Sequence, residues 1–224
     1  MTGRAGRPSG TTRRLQRGLP VALAIGASTG GPKALLTLFA DLRLPGSTFV
    51  FLVQHIHPRF TGILRRRLGE VSSLPVVEAE EGAAIQPGRL YVAPGRRHLI
   101  VERVGPGSFR SRLTDDPPRH SVRPSVDALF TSVAEVFGPR AVGVVLTGMG
   151  RDGLAGARAI KARGGRILAE SEETCVVYGM PRVLAEAELA DRLVPIGQMA
   201  AAIRQVCLGL VGLPDRVVSP ALNR

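Results

Sequence analysis

The sequence predicts an α/β fold: a mostly parallel sheet with helices on both faces, doubly wound and Rossmann-like, carrying an antiparallel hairpin insertion. Three observations predict it. Short apolar runs alternate along the chain with longer segments of helical periodicity. The runs are apolar at successive positions rather than at every second one, as strands buried on both faces are. One stretch breaks the alternation, with two extended runs flanking Gly105-Pro106-Gly107, a hairpin signature.

Each element follows from its own residues. Val21-Ala22-Leu23-Ala24-Ile25, ended by Gly26, is the first strand. Proline is tolerated at a helix start, so Pro32 opens a helix over 32–39. Residues 48–53 give the next strand, 61–68 a short helix, and 75–78 and 89–93 two further strands. Residues 98–103 and 109–113 form the hairpin. Residues 125–137 form a helix with Val126, Leu129, Phe130 and Val133 on one face. A strand over 141–146, a helix over 153–163 and a strand over 166–169 follow, then a helix over 181–190, a short strand over 192–194 and a closing helix over 196–208. Sites in such sheets lie outside the carboxyl ends of the strands. Three polar loops leave predicted strand ends, after residues 26, 53 and 146.

At 224 residues the chain suits one domain with a substantial core. We expect a basic tail over 1–18, a folded domain over 19–210 and a C-terminal tail over 211–224. The first eighteen residues hold five arginines and no acid, in a chain of net charge +12. That balance favours a polyanionic partner or an acidic protein surface. Nucleic acid is not expected, because nine scattered aromatic residues, none of them Trp, supply no stacking platform. No stretch approaches the ~18 apolar residues of a membrane span, so direct membrane insertion is not expected either. Thr12-Arg13-Arg14-Leu15, followed by the apolar run from Leu19, looks like a twin-arginine export signal. Cleavage there would remove the run that positions the glycine turn, so 21–26 is read as a buried first strand instead. Cys175 and Cys207 lie in no C-x-x-C arrangement and suggest thiols in a reducing, cytoplasmic compartment.

The first of the three loops, Gly26-Ala27-Ser28-Thr29-Gly30-Gly31, fits the G-x-S-x-G elbow, in which flanking glycines let a serine project above the sheet. An anion-binding or structural turn is the competing reading. A P-loop is not, since Pro32 stands where its lysine belongs. The second loop, Gln54-His55-Ile56-His57-Pro58-Arg59, offers two imidazoles. Serine needs a neutral imidazole to take its proton, and His55, nearer the strand, is the better fixed. A His-x-His pair without further ligands nearby gives no metal site, and no cofactor is expected. The third loop, Leu146-Thr147-Gly148-Met149-Gly150-Arg151-Asp152-Gly153, brings a carboxylate. Asp152 either orients the histidine or caps the helix that follows. Backbone N–H groups near Met149 suit an oxyanion hole. Ser28, His55 and Asp152 would make a triad in an uncommon chain order.

These loops resemble the catalytic domain of chemotaxis protein-glutamate methylesterases. The resemblance is carried by Ile25-Gly26-Ala27-Ser28-Thr29-Gly30-Gly31, Gln54-His55, Leu146 to Gly153, Ala93-Pro94-Gly95 with His98, His120-Ser121-Val122-Arg123-Pro124-Ser125-Val126-Asp127, and Val177-Tyr178-Gly179-Met180-Pro181-Arg182. Together these run over about 20–205, nearly the whole predicted domain. The resemblance implies a triad of Ser28, His55 and Asp152, the Met149 N–H in the oxyanion hole and Thr29 beside the nucleophile. It further implies hydrolysis of glutamyl methyl esters on the cytoplasmic helices of methylated chemoreceptors, with release of methanol, and deamidation of receptor glutamine. Family members usually carry an N-terminal receiver domain. About twenty residues precede the first strand here, so a stand-alone esterase or a piece of a longer protein is expected. His57, Arg59 and the acidic residues Glu170, Glu172 and Glu173 depart from the family pattern. An esterase or amidase acting on another protein, and a non-catalytic anion-binding module, are the alternative functions.

Overall fold

Every apolar run read as a strand is one in the computed structural model, which describes residues 20–211. The basic tail with its twin-arginine pattern, and 212–224, lie outside the described residues. The chain order is β1 (Ala22–Ala27), α1 (Gly31–Asp41), β2 (Phe49–Gln54), α2 (Thr61–Val71), β3 (Val76–Glu78), β4 (Leu90–Val92), β5 (His98–Gly105), β6 (Ser108–Thr114), α3 (Val126–Phe137), β7 (Ala141–Val145), α4 (Leu154–Ala162), β8 (Arg166–Glu170), α5 (Met180–Glu186), β9 (Arg192–Val194) and α6 (Ile196–Val211).

Seven strands pair in parallel in the order β3-β4-β2-β1-β7-β8-β9, and β5 and β6 form a separate antiparallel ribbon. β1 is central, and all its residues are buried. Leu23, Ile25 and Ala27 enter one core with α1, α2 and α6, while Ala22 and Ala24 enter another with α3, α4, α5 and the ribbon. Two apolar faces on one strand are what a sheet covered by helices on both sides demands. The second core is sealed by aromatic contact. Phe109 of the ribbon stacks on Phe137 of α3 at 4.9 Å and meets Phe49 of β2 edge-on at 5.2 Å. Each such pair adds about 0.5–1.5 kcal/mol beyond area burial. The ribbon thereby presses on α3, whose N-terminus reaches the carboxyl edge of the sheet.

One boundary moves. The helix expected over 181–190 stops at Glu186, because Glu188 takes a left-handed φ of 54°. Its N–H bonds the Ala185 carbonyl and the Leu189 N–H bonds the Leu184 carbonyl, the two bonds of a Schellman end. A glutamate in the place usually held by glycine leaves no sequence signal. The strand order reverses at β1, which has β2 on one side and β7 on the other. That switch point is where the three polar loops gather.

Candidate active site

The sheet register brings the loops together. Ala27 pairs with Gln54 across β1 and β2, so Ser28 and His55 are the next residues on neighbouring parallel strands, which run about 4.8 Å apart. The His55 N–H continues the ladder onto the Ala27 carbonyl at 2.9 Å. On the other side Gly26 pairs with Val145, and the Ser28 N–H donates to the Thr147 carbonyl at 3.0 Å. Serine, histidine and the third loop therefore converge by strand pairing alone.

The turn that carries Ser28 is held from three sides. Gln54 Nε2 donates to the Ser28 carbonyl at 2.8 Å and to the His55 carbonyl at 2.9 Å, tying serine loop to histidine loop. The Thr147 hydroxyl donates to the Thr29 carbonyl at 2.9 Å and accepts from the Val177 N–H at 3.0 Å. Buried Glu170 accepts from the Thr147 N–H at 2.8 Å and from the Thr174 hydroxyl at 2.9 Å. The acidic residue that looked out of pattern is thus a ligand for loop backbone. Gly30, at φ 82°, supplies the left-handed step into α1. A Cβ on Gly148 would lie 2.7 Å from Ser28 Cβ and 2.5 Å from Met180 Sδ, so the third loop touches the serine where only a hydrogen fits.

His55 Nε2 and Asp152 Oδ2 are 2.8 Å apart. A carboxylate accepts, so Nε2 carries the proton and Nδ1 keeps its lone pair. Among the described residues the Ser28 hydroxyl makes no hydrogen bond to His55, a contact that tightens in such sites when substrate is bound. His57 is set apart: its Nδ1 accepts from the Arg59 N–H at 3.4 Å and its ring meets Phe60 edge-on. Of the two histidines, only His55 faces a carboxylate.

Asp152 is 2 % exposed and is not the side-chain cap of its own helix; Gly153 is the N-cap of α4, with no side-chain cap bond. Instead its carboxylate reaches the start of α3. Oδ1 accepts from the Ser125 hydroxyl at 2.8 Å and the Asp127 N–H at 3.0 Å, and Oδ2 from the Val126 N–H at 2.7 Å. Burial alone would raise its pKa, but the bonds from His55, from two N–H groups of α3 and from Ser125 hold it below the ordinary aspartate value. Ser125 is placed by buried His98, whose Nδ1 accepts the Ser125 N–H at 3.1 Å. Burial lowers the His98 pKa, keeping that imidazole neutral.

The mouth of the site is apolar and open: Met149 is 75 % exposed and Val176 62 %. Exposed Thr29 follows the serine directly. Among the described residues neither the Thr29 nor the Met149 N–H has an acceptor, while the Ser28 N–H is taken by Thr147. Two unsatisfied donors beside a serine suit a developing oxyanion. The sequence motifs contained Ser125 and Asp127 without revealing their task, because a side chain that serves another loop leaves no local spacing signal.

Fold and site together define a doubly wound α/β protein with a serine turn and a histidine–aspartate pair at its switch point. The CheB methylesterase family model matches residues 23–203, and the chain belongs to that family. It is 46% identical over 189 residues to a protein-glutamate methylesterase/protein-glutamine glutaminase of Moorella thermoacetica, covering 84% of this chain and 44% of that protein. It is 44% identical over 182 residues to protein-glutamate methylesterase/protein-glutamine glutaminase 2 of Nitratidesulfovibrio vulgaris, covering 81% and 49%. The crystal structure of the Thermotoga maritima CheB methylesterase catalytic domain superposes with a TM-score of 0.80 at 37% identity, covering 83% of this chain and 98% of that one. The chain spans about half the length of the curated relatives it matches. No described helix is long and apolar enough to cross a membrane.

Proposed function

We propose that this chain hydrolyses γ-glutamyl methyl esters on the cytoplasmic helices of methylated chemoreceptors, releasing methanol, and also deamidates receptor glutamine. Ser28 is the nucleophile, His55 the base and Asp152 its orienting carboxylate, in a cytoplasmic domain that 19–210 encompass. The observation that carries the reading is the 2.8 Å His55–Asp152 bond, one register step from Ser28. The names of the relatives support both the ester and the amide substrate.

In the reaction His55 Nδ1 takes the Ser28 hydroxyl proton as Oγ bonds the ester carbonyl carbon. The Thr29 and Met149 N–H groups hold the oxyanion. The tetrahedral intermediate expels the methoxy oxygen, which receives the proton from Nδ1 and leaves as methanol. Water then gives its proton to Nδ1, attacks the acyl-enzyme and releases glutamate, and Ser28 recovers its proton. For glutamine the leaving group is ammonia. The exposed side chains of Met149 and Val176 meet the apolar face of a receptor helix, and the basic surface suits its acidic residues.

Ser28→Ala tests the assignment. Methanol release from methylated receptor falls by on the order of 10⁴-fold or more while the melting temperature holds. Retained activity would sink it. Failure of wild-type protein to label with a fluorophosphonate probe would leave a binding module instead.

A further inference from the structure

The helix that receives Asp152 returns the service. Asp127, in the first turn of α3, sends its carboxylate across to the start of α4: Oδ1 accepts from the Gly153 N–H at 2.9 Å and the Gly156 N–H at 2.8 Å. Asp152, just before α4, accepts from the N–H groups of Val126 and Asp127 at the start of α3. Each helix is thus capped by the other's aspartate. The two carboxylates also share one donor, since the Gly153 N–H lies 3.1 Å from Asp152 Oδ1. Neither can shift without loosening the other.

Asp127 has a histidine of its own. His120 Nε2 lies 3.1 Å from Asp127 Oδ2, repeating the His55–Asp152 pair on the far side of the helix junction. His120 is presented by a tight turn in which Arg119 and Val122 exchange both backbone bonds. Its two central residues, His120 and Ser121, have φ of 50° and 63°. Left-handed conformations at two successive non-glycine residues are strained, and such strain persists where the surrounding structure imposes it. Ligating atoms of His120, Asp127 and Asp152 all fall within 4.8 Å of one another.

We propose that Asp127 and His120 form an outer dyad that positions Asp152, and through it the base His55. Asp127 and His120 are positioning residues, not catalytic ones, since neither touches the reacting atoms. Two adjacent carboxylates repel when both are ionised, and His120 Nε2, 3.1 Å from Asp127 Oδ2, is placed to donate there and ease that repulsion. The opposite displacements of the two aspartates agree: burial and the neighbouring Asp152 raise Asp127, while its hydrogen bonds keep Asp152 low. Facing the pair are Asp152 from the third loop with His55 beyond it, and His98 of β5 behind Ser125, while Arg119 and Arg123 flank the His120 turn in sequence.

The inference rests on the hydrolase reading above, and its test separates the two. Fluorophosphonate labelling of Ser28 and methanol release are measured across the pH range of histidine ionisation for wild type, Asp127→Ala, Asp127→Asn and His120→Ala. We expect Asp127→Ala to lower kcat and the labelling rate per active site by on the order of 10–100-fold, with KM little changed. The acid limb of its pH profile moves to lower pH, because a detached Asp152 no longer favours the imidazolium. Asp127→Asn keeps an acceptor for both N–H groups and retains activity within about threefold of wild type. His120→Ala falls between them. A folded Asp127→Ala with an unchanged labelling rate and acid limb overturns the proposal, and so does an Asp127→Asn loss equal to that of alanine. Where Asp127→Ala does not fold, exposed His120 decides: an unchanged rate and limb in His120→Ala overturns it. Wild-type protein that labels but releases no methanol refutes the methylesterase reading and leaves this test standing. Wild-type protein that does neither overturns both.

Discussion

The two junctions that meet at the site are built in opposite ways. Between β1 and α1, Ser28 rides on a turn fixed by backbone bonds, by Gln54 and by close contact with Gly148, and its hydroxyl has no partner among the described residues. Between β7 and α4, Asp152 is buried and saturated, taking donors from Ser125, Val126, Asp127, Gly153 and His55. The difference follows from what each group must do. A buried negative charge is tolerable only when protein donors replace the water it lost. In the proposed reaction Ser28 must keep its oxygen free, so the protein fixes its backbone instead.

The comparison can be broken most severely at the saturated end. Asp152→Asn keeps the shape but exchanges an anionic acceptor for an amide, and kcat falls by on the order of 10³–10⁴-fold as His55 loses its tautomer. Stability reports the same change with a definite sign. The Asp152 carboxyl is held below its ordinary value, so the fold gains from its ionisation above about pH 4, where the unfolded group is also ionised. That gain is lost as pH falls through the folded value, so the melting-temperature gap between wild type and Asp152→Asn closes only below about pH 4.

The nucleophile end is broken by geometry rather than charge. Gly148→Ala forces a methyl group against Ser28 and Met180. We expect a stability loss of about 1–3 kcal/mol and a fall in kcat on the order of 10²-fold from the displaced serine, at a pH profile that does not move. Gly30→Ala is milder for the chemistry, since no added atom meets Ser28, but its left-handed φ and its 2.5 Å approach to Val176 Cβ together cost about 2–5 kcal/mol in chemical denaturation. The smallest effect is at Cys175. Burial, then the charge of Glu170, pushes its thiol up to about 12. A thiol reagent at neutral pH leaves it unmodified in native protein, with activity intact, and reacts once the chain is unfolded.

These contrasts explain what was legible in the sequence. The strands declared themselves because both of their faces are buried, so Val21 to Ile25 and Phe49 to Val53 are apolar throughout. Ser28, His55 and Asp152 stood out because each follows such a run within a glycine-rich or polar loop. Which nitrogen of His55 faces the carboxylate was not legible, since it depends on a bond spanning 97 residues. The destination of Asp152 was not legible either. Its position before α4 suits a local cap, yet the donors at the start of α3 win it, and nothing in the local spacing distinguishes those outcomes. Asp127 stood only within a matching stretch and Glu170 only as a departure from the pattern, and neither shows a task until the fold gives it buried N–H groups to serve.

The register of β1 against β2 and β7 has an evolutionary consequence. The meeting of Ser28 with His55 is written into the strand pairing, so segments between strands that do not touch these loops or the start of α3 are free to change length and composition. The β5–β6 ribbon is inserted between His55 and Asp152 in the chain, yet the two still meet. The rim formed by Met149 and Val176 sits outside that alignment, on the solvent side. In the proposed reaction Met149 serves both ends, its N–H at the oxyanion and its exposed side chain at the partner, so selection can change the side chain while the backbone donor keeps its place.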